Sequence, residues 1–281
     1  IQFKCGVHVG KDISAAELQE EFDAVLLCGG ATLRRPLPIP GAELKGVIQA
    51  MDFLGQNNRR VSNIPFSNEE ILATGKHVIV IGGGDTGSDC IGTSLRQGAS
   101  SVANFEILGK PPVGRPDNQP WPFWPMRLRT SSSHKEGAER FFSIATKEFK
   151  ADNHGNLKSL VTVEVAWEKT ADGKSILKEI PGSQKEWPCD LALLALGFTG
   201  SDTRVTEQLG VKLDPRTNIE ATENDYKTNI PGVFAAGDQR RGQSLIVWAI
   251  SEGRQAAHHV DTYLMGSSEL PLKGEGDLPR V

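Results

Sequence analysis

The sequence lacks the features that mark membrane and nucleic-acid-binding proteins. Its longest apolar runs, such as residues 191–198, fall far short of the roughly 18 to 20 residues that a bilayer crossing needs. Basic and acidic residues nearly balance, at 31 against 35, so the net charge of -4 gives little attraction for a polyphosphate backbone. The 281 residues, 38% hydrophobic and 23% charged, are typical of a globular protein with about two domains. We therefore predict no membrane span and no nucleic-acid partner.

Cysteine is also scarce. Cys5, Cys28, Cys90 and Cys189 stand far apart, and none forms the Cys-x-x-Cys pair typical of zinc, iron–sulfur or redox dithiol sites. This pattern favours structural thiols and predicts no metal site. No charged leader with an apolar core precedes the first strand-like segment, which predicts a cytoplasmic location. Because the chain starts at Ile1 in strand-like sequence, we expect a missing upstream portion.

Glycine, by contrast, is abundant, with 30 residues. It follows four short apolar runs: 25–28 before Gly29 and Gly30, 77–81 before Gly82, 191–196 before Gly197, and 233–236 before Gly237. Continuous apolar runs of this length are typical of parallel strands that are buried on both faces. We therefore predict an α/β fold whose ligands bind beyond the carboxyl ends of these strands.

The sequence between these strands predicts two helices, a small antiparallel β-meander and a long loop. One helix covers residues 85–97 and stops at Gly98, and the other covers 244–264. Alternating residues at 160–167 and turn residues near 153–156 and 171–173 predict a meander within 141–179. Residues 109–133 are rich in proline and tryptophan, which predicts an ordered loop. In it, the cluster at 121–125 is more typical of a loop anchor than of a substrate cage.

A dinucleotide fingerprint joins the strand at 77–81 to the first helix. Its glycines are Gly82, Gly84 and Gly87, with Gly83, Asp85 and Thr86 between them. The first glycine permits a tight turn, the second lets backbone approach a pyrophosphate, and the third lets the helix pack close to the strand. The phosphates would then face the amino end of the helix, where free amides and the dipole favour negative charge. The alternative is a glycine-rich turn without a ligand.

Glu106 indicates which dinucleotide would bind. It ends the next strand, about 20 residues after Gly87, where a carboxylate can accept hydrogen bonds from the adenosine ribose and repels a 2′-phosphate. This predicts NAD, with NADP the less favoured coenzyme. Two alternatives stay open: Glu106 is a solvated strand-end charge, or Lys110 and Arg115 in the following loop cradle a phosphate.

A second nucleotide signature lies at residues 228–238. A strand ends there in small residues, so a ligand can lie against the backbone, and Asp238 can accept a hydrogen bond from a polyol. This stretch resembles the distal FAD motif of the pyridine nucleotide-disulfide oxidoreductase superfamily. The resemblance implies that Asp238 holds the flavin ribityl chain.

Residues 22–31, 37–41 and 237–245 narrow the resemblance to the small, or beta, subunits of glutamate synthase. It covers essentially the whole chain. It implies two Rossmann-like nucleotide-binding domains, with an NAD(P) domain at 74–197 inserted into an FAD domain at 1–73 and 198–281. The residues assigned to cofactor contact in addition to those above are Gly29, Gly30, Gly197, Gly237, Gln243, Ser244 and Leu245. The helix that opens at Gln243 would direct its amino end at the flavin pyrimidine edge.

One part of the family pattern is absent from the 281 residues. Members begin with a cysteine-rich iron–sulfur region and a first Gly-x-Gly-x-x-Gly for the FAD pyrophosphate, and the sequence contains neither. The chain thus resembles the carboxyl-terminal part of a subunit, and iron–sulfur clusters are expected only in the missing amino-terminal region. We expect the isolated chain to bind FAD weakly or not at all.

The resemblance implies an electron-input function. NADH would reduce FAD, and electrons would pass through iron–sulfur centres to the large (alpha) subunit, which forms glutamate from 2-oxoglutarate and glutamine. No catalytic acid, base or nucleophile is assigned, because the cofactors carry the chemistry. The alternatives are a related module, like that of dihydropyrimidine dehydrogenase or a transhydrogenase, and a non-catalytic nucleotide-binding fragment.

Some side chains near the carboxyl end have alternative interpretations. Leu245, Val247, Trp248 and Ile250 also fit an ordinary amphipathic helix that packs on the core. Arg240 and Arg241 have two alternative interpretations: they contact the flavin or a partner subunit, or they are solvated surface arginines. His258 and His259 lie late in the predicted helix, where imidazole groups interact favourably with the helix dipole. This interpretation is favoured over a metal site.

Overall fold

The computed structural model describes residues 1–117, 119, 127–170 and 172–274. The helices are α1 (Ala15–Glu21), α2 (Ala50–Val61), α3 (Asp85–Arg96), α4 (Ser132–Glu136), α5 (Arg204–Leu209), α6 (Asp238–Arg241) and α7 (Ile246–Met265). The strands are β1 (Val25–Leu27), β2 (Leu33–Arg34), β3 (Val47–Gln49), β4 (His77–Ile81), β5 (Ser101–Glu106), β6 (Glu139–Phe142), β7 (Ile144–Ala151), β8 (Leu157–Lys169), β9 (Ser175–Glu179), β10 (Lys185–Pro188), β11 (Leu191–Leu194), β12 (Phe198–Gly200) and β13 (Val233–Ala235).

The chain divides into two compact units. Residues 36–196 form one of them, called here the continuous unit. Residues 1–35 and those from 197 onward form the other, called the split unit. The α/β class is confirmed. In the sequence, the continuous unit lies between the two segments of the split unit.

The continuous unit is built on a five-stranded parallel sheet in the order β3-β11-β4-β5-β6. Apolar residues fill β4 and β11 because both faces of these strands are covered. One face packs against helices α2 and α3, through Phe53 and Ile91. The other face packs against β7 and β8, through Phe149 and Leu160. This parallel sheet directs the carboxyl ends of β4 and β5 to one edge.

The antiparallel meander is confirmed, but it begins later than the sequence indicated. Strand β8 pairs with β7 along one edge and with β9 and β10 along the other. Strand β6, which contains Phe141, instead pairs in parallel with β5 and extends the main sheet. The meander therefore starts at Ile144. Of the residues predicted as a long loop, Ser132 and Ser133 lie in the short helix α4, and the cluster at 121–125 lies outside the described residues.

The split unit contains a two-stranded parallel sheet, β1-β13. Its core gathers side chains from α1, α5 and both strands, including Ala15, Leu27 and Leu209. Helix α7 packs on β13, where the rings of Phe234 and Tyr263 meet at 5.6 Å between centroids. The same unit contains the antiparallel strand pair β2-β12. Next to this pair, the amide of Arg35 donates to the carbonyl of Gly197 at 3.0 Å.

The predicted domain boundaries differ from these units at the first junction. The sequence placed residues 36–73 with the FAD domain, whereas the structure groups them with the continuous unit. The reason is that β3 pairs with β11 and α2 packs on the sheet core through Phe53. At the second junction Gly197 falls in the split unit, one residue from the predicted boundary.

Candidate functional site

The glycine turn after β4 has the geometry that its sequence predicts. Gly82 has φ +120, and a Cβ there would overlap the carbonyl oxygen of Ala195. Gly87, inside α3, faces the carbonyl oxygen of Gly82, and a Cβ there would overlap it. Because Gly82 and Gly87 carry no side chain, helix α3 can start close behind the strand.

The second glycine of the fingerprint leaves the turn open. Gly84 is the N-cap of α3, no side chain caps the helix, and no atom lies within 4 Å of a Cβ built at Gly84. Asp85 is exposed in the first turn, and Thr86 is half-buried beside it. A ligand can therefore approach the backbone at Gly84, where the first amides of a helix have no intrahelical acceptor.

Glu106 lies beside this turn and is held in place. Its carboxylate lies so close to Gly83 that a Cβ there would overlap Oε2, and its Oε1 accepts a hydrogen bond from the amide of Leu108 at 3.0 Å. A side chain at Gly83, which the fingerprint leaves unspecified, would displace this carboxylate from its observed position. The structure brings the predicted residues 82–87 and Glu106 together at the carboxyl edge of β4 and β5.

The two cations that the sequence offered for a phosphate lie in the loop after β5. Arg115 donates from Nη1 to the carbonyl of Gln119 at 3.1 Å, and Lys110 is exposed in the loop. A different set of polar side chains lies near Glu106, on α4 and β6.

Sequence reasoning missed this set. The hydroxyls of Ser88 and Ser131 are hydrogen-bonded to each other, and Ser131 Oγ lies 2.8 Å from His134 Nδ1. Burial and the charge of Arg140 lower the pKa of His134. Among the described residues, His134 Nε2 and Arg140 Nε are buried without a hydrogen-bond partner. The sequence gives little indication of this cluster. Arg140 stands before two phenylalanines, which is an ordinary sequence for a strand.

A second turn, in the split unit, follows β13. Gly237 has φ +69, and its amide donates to Glu252 Oε2 at 2.9 Å. Asp238 opens α6 and accepts a hydrogen bond from Ser244 Oγ at 2.9 Å. The turn therefore places the Asp238 carboxylate beside Ser244, just before α7.

Glu252 of α7 binds the backbone of this turn through the Gly237 amide. This residue was not identified from the sequence. It is 3% exposed and accepts hydrogen bonds from Arg240 Nε at 2.9 Å and from Arg241 Nη1 at 3.0 Å. Burial alone would raise the pKa of Glu252, but hydrogen bonds and charge from the two arginines, with the Gly237 amide, lower it. Arg240 and Arg241 are thus ion-paired rather than solvated. Glu252 lies among Ser251, Gly253 and Arg254 in the sequence, so its burial gives no sequence signal.

The remaining predicted residues of the split unit form two smaller groups. The amide of Gly29 donates to Gln239 Oε1 at 2.6 Å, and Gly30 has φ +76 with open space around it. Gly197 lies near Gln243, whose Nε2 donates to the carbonyl of Phe198 at 3.3 Å. Gln243 and Phe198 line a cavity of about 550 Å³.

The start of α7 differs from the amphipathic helix that the sequence allowed. Leu245 is the N-cap without a side-chain cap bond, and it is 57% exposed. Val247 and Ile250 are also exposed, so these side chains do not pack on a core within the described residues. Trp248 instead stacks with Arg241, whose Cζ lies 4.1 Å from the ring centroid. His258 Nδ1 lies 2.6 Å from the carbonyl oxygen of Leu270.

All four cysteines are free, and Cys90 and Cys189 are buried. Burial raises the pKa of each of these two thiols to about 12, as expected of structural thiols. Across the described ranges, no cluster of three or more His, Cys, Asp or Glu side chains could hold a metal ion. No helix in those ranges has the length and apolar character to cross a membrane.

Comparison with known proteins identifies relatives of the whole described fold. The profile of the pyridine nucleotide-disulphide oxidoreductase family matches residues 2–253. A glutamate synthase (NADPH) small chain from Mycobacterium tuberculosis is 50% identical over 96% of this chain and 55% of its own length. A glutamate synthase (NADH) from Schizosaccharomyces pombe is 44% identical over 99% of this chain and 14% of its own length. The chain spans about half the length of the curated small chains that it matches.

Solved structures confirm the fold at lower identity. FprA from Mycobacterium tuberculosis in complex with NADPH matches with a TM-score of 0.64 at 20% identity, over 92% of this chain and 66% of that one. Thioredoxin reductase from T. acidophilum matches with a TM-score of 0.55 at 19% identity, over 86% of this chain and 66% of that one.

Proposed function

Because the chain belongs to the pyridine nucleotide-disulphide oxidoreductase family, we propose that it is the electron-input part of a glutamate synthase. In this proposal the continuous unit binds NADH, with NADPH as the weaker donor, and the split unit contributes to an FAD site. Electrons would then pass through iron–sulfur centres to a large subunit that forms glutamate from 2-oxoglutarate and glutamine. The identity of 44 to 50% to glutamate synthase chains supports this assignment.

The open turn at Gly84 is the observation that carries the proposal. A pyrophosphate needs backbone amides, a positive helix end and no obstructing side chain, and the start of α3 offers all three. Glu106 lies next to the same turn, fixed by the Leu108 amide. A carboxylate there suits the two hydroxyls of an adenosine ribose, which is the reason to favour NADH.

The turn at 237–245 fits the polar chain of a flavin. Asp238 and Ser244 present oxygen atoms on a turn whose glycine, Gly237, leaves the backbone accessible. Helix α7 starts without a side-chain cap at Leu245, so its first amides are available to a ligand. When both cofactors are bound, the nicotinamide supplies a hydride and the isoalloxazine accepts it. The residues that we propose to contact FAD are Gly29, Gly30, Gly197, Gly237, Asp238, Gln243, Ser244 and Leu245.

Steady-state reduction of a dye by NADH and by NADPH tests this function, with FAD added in large excess because this chain is expected to bind it weakly. We expect turnover with both donors and a higher kcat/KM with NADH. In Glu106→Ala the ratio of the two kcat/KM values should shift toward NADPH by about tenfold, because one full charge opposing the 2′-phosphate is lost.

Glu136→Ala provides the matched control, since Glu136 pairs with Arg96 at an exposed site on α4. This variant should keep the wild-type ratio. A wild-type protein that prefers NADPH would show that Glu106 does not select the coenzyme. A protein that binds neither coenzyme would refute the proposed function.

A further inference from the structure

Arg140 extends to the level of Glu106. The two residues belong to neighbouring parallel strands, where Asn104 pairs with Arg140 and Glu106 pairs with Phe142. Alternate residues of a strand share a face, so Arg140 and Phe142 point to the same side as Glu106. The Arg140 Cζ lies 5.3 Å from the centroid of the Phe142 ring. The guanidinium therefore leans along β6 toward the carboxyl edge, where Glu106 and the glycine turn lie.

The guanidinium retains unused donor capacity in this position. Its Nη1 donates to the carbonyl of Arg129 at 3.0 Å, but its Nε is buried and meets no acceptor among the described residues. Asn104, across the strand pair, is already bonded to the carbonyls of Val80 and Gly82. Buried donors without acceptors are uncommon and costly, so the geometry indicates a place for an additional acceptor.

The charged and titratable groups around Arg140 come from two elements. Glu106 projects from β5, and His134 projects from α4. Burial lowers the pKa of Arg140, and the negative charge of Glu106 opposes that shift. The pKa of His134 is lowered by burial and by Arg140, so the neutral imidazole adds no positive charge of its own. Arg140 thus supplies the positive charge that opposes Glu106 within this group.

We propose that Arg140 is a coenzyme-specificity residue: it offsets the charge of Glu106 and donates hydrogen bonds to a 2′-phosphate, so the site accepts NADPH as well as NADH. The proposal rests on the proposed function, because it requires a dinucleotide at the turn at 82–87. A carboxylate suits ribose hydroxyls, while a guanidinium suits a phosphate through paired N–H donors. Together the two residues give a site with only moderate preference between the coenzymes.

Calorimetric titration of the full chain with ADP and with adenosine 2′,5′-bisphosphate tests this proposal without depending on flavin. We expect the wild type to bind both compounds. In Arg140→Met the affinity for the bisphosphate should fall by about tenfold or more, which corresponds to about 1.4 kcal/mol, while the affinity for ADP changes by less than about threefold. Arg140→Lys keeps the charge but not the planar fork, and should give an intermediate loss.

Three further variants separate the outcomes. Arg96→Gln removes an exposed arginine of α3 that pairs with Glu136 and should leave both affinities unchanged. Glu106→Gln should strengthen bisphosphate binding. When Arg140→Met is added to Glu106→Gln, the bisphosphate affinity should fall by a smaller factor than when Arg140→Met is made in the wild type. Equal losses for both ligands in Arg140→Met, or a wild type that binds ADP but not the bisphosphate, would overturn the role of Arg140. Failure of the wild type to bind ADP would instead overturn the proposed function.

Discussion

Glu252 is a buried side chain that binds the backbone of the turn at 237–245 and both arginines of that turn. A buried carboxylate with two arginines and a backbone amide is satisfied only as a complete set, and removing its charge takes the buried ionic partner away from both arginines. We expect Glu252→Gln to lower the free energy of unfolding by about 3 kcal/mol. Chemical denaturation at pH 7 measures this. Glu223→Gln is the matched control, because Glu223 lies 3.8 Å from Arg240 at an exposed position and should cost under about 1 kcal/mol.

The same carboxylate predicts a response to pH. The pKa of Glu252 lies below its ordinary value of 4.5 in the folded protein, so its ionised form contributes stability that is fully present above that value. That contribution should be lost as the pH falls below about 4.5. Denaturation curves between pH 7 and pH 3 should show a steeper decline in the wild type than in Glu252→Gln. Parallel curves would show that Glu252 does not govern acid sensitivity.

At this scale the sequence predicted residues that belong to a local pattern and missed those that depend on tertiary neighbours. The close packing at Gly82 and Gly87 and the open space at Gly84 follow from the spacing of these glycines, and the structure shows all three features. The surroundings of Arg140 and Glu252 arise only when β6 pairs with β5 and α7 packs against the turn after β13. Nothing in the spacing of their own neighbours reveals those contacts.

At the scale of elements, two substitutions at the junction of β4 and α3 separate the proposed ligand contact from the packing of α3 on β4. Gly84→Ala adds a methyl group to open space, so the melting temperature should stay near that of the wild type while ADP affinity falls by about tenfold. Gly87→Ala forces α3 away from the Gly82 carbonyl and should cost about 1 to 3 kcal/mol of stability as well.

Thermal unfolding combined with ADP titration distinguishes these two variants. Gly55→Ala, in the interior of α2 with no atom within 4 Å of the added Cβ, is the control. It should raise stability by up to about 1 kcal/mol and leave ADP binding unchanged. Intact ADP affinity in Gly84→Ala would show that no ligand lies against this turn.

The elements with strong periodicity were predicted well. Helix α3 was expected at 85–97 and lies at Asp85–Arg96, and β4 matches its prediction. Helix α4 was missed because it is a single short turn set by the Ser131–His134 capping box and by its packing on Gly92. The predicted meander began at residue 141 and so included the last two residues of β6, because the sequence does not show which strand β6 pairs with.

At the scale of the whole molecule, the continuous unit contains everything that a folded domain needs. Its parallel sheet is covered on both faces by residues from within 36–196. We expect a fragment of residues 36–196 to unfold cooperatively and to bind ADP with the affinity of the full chain. Circular dichroism melting and calorimetry measure the two properties. A fragment of 74–197 is the matched comparison and should fail to fold, because it lacks β3 and α2.

The two ends of the continuous unit leave the split unit side by side. Strands β2 and β12 are hydrogen-bonded neighbours, and Arg35 and Gly197 are joined through their backbones. A short peptide could therefore bridge those residues in place of everything between them. The continuous unit is therefore expected to be replaceable by another domain whose own termini lie close together, while the two segments of the split unit keep their sequence and their order.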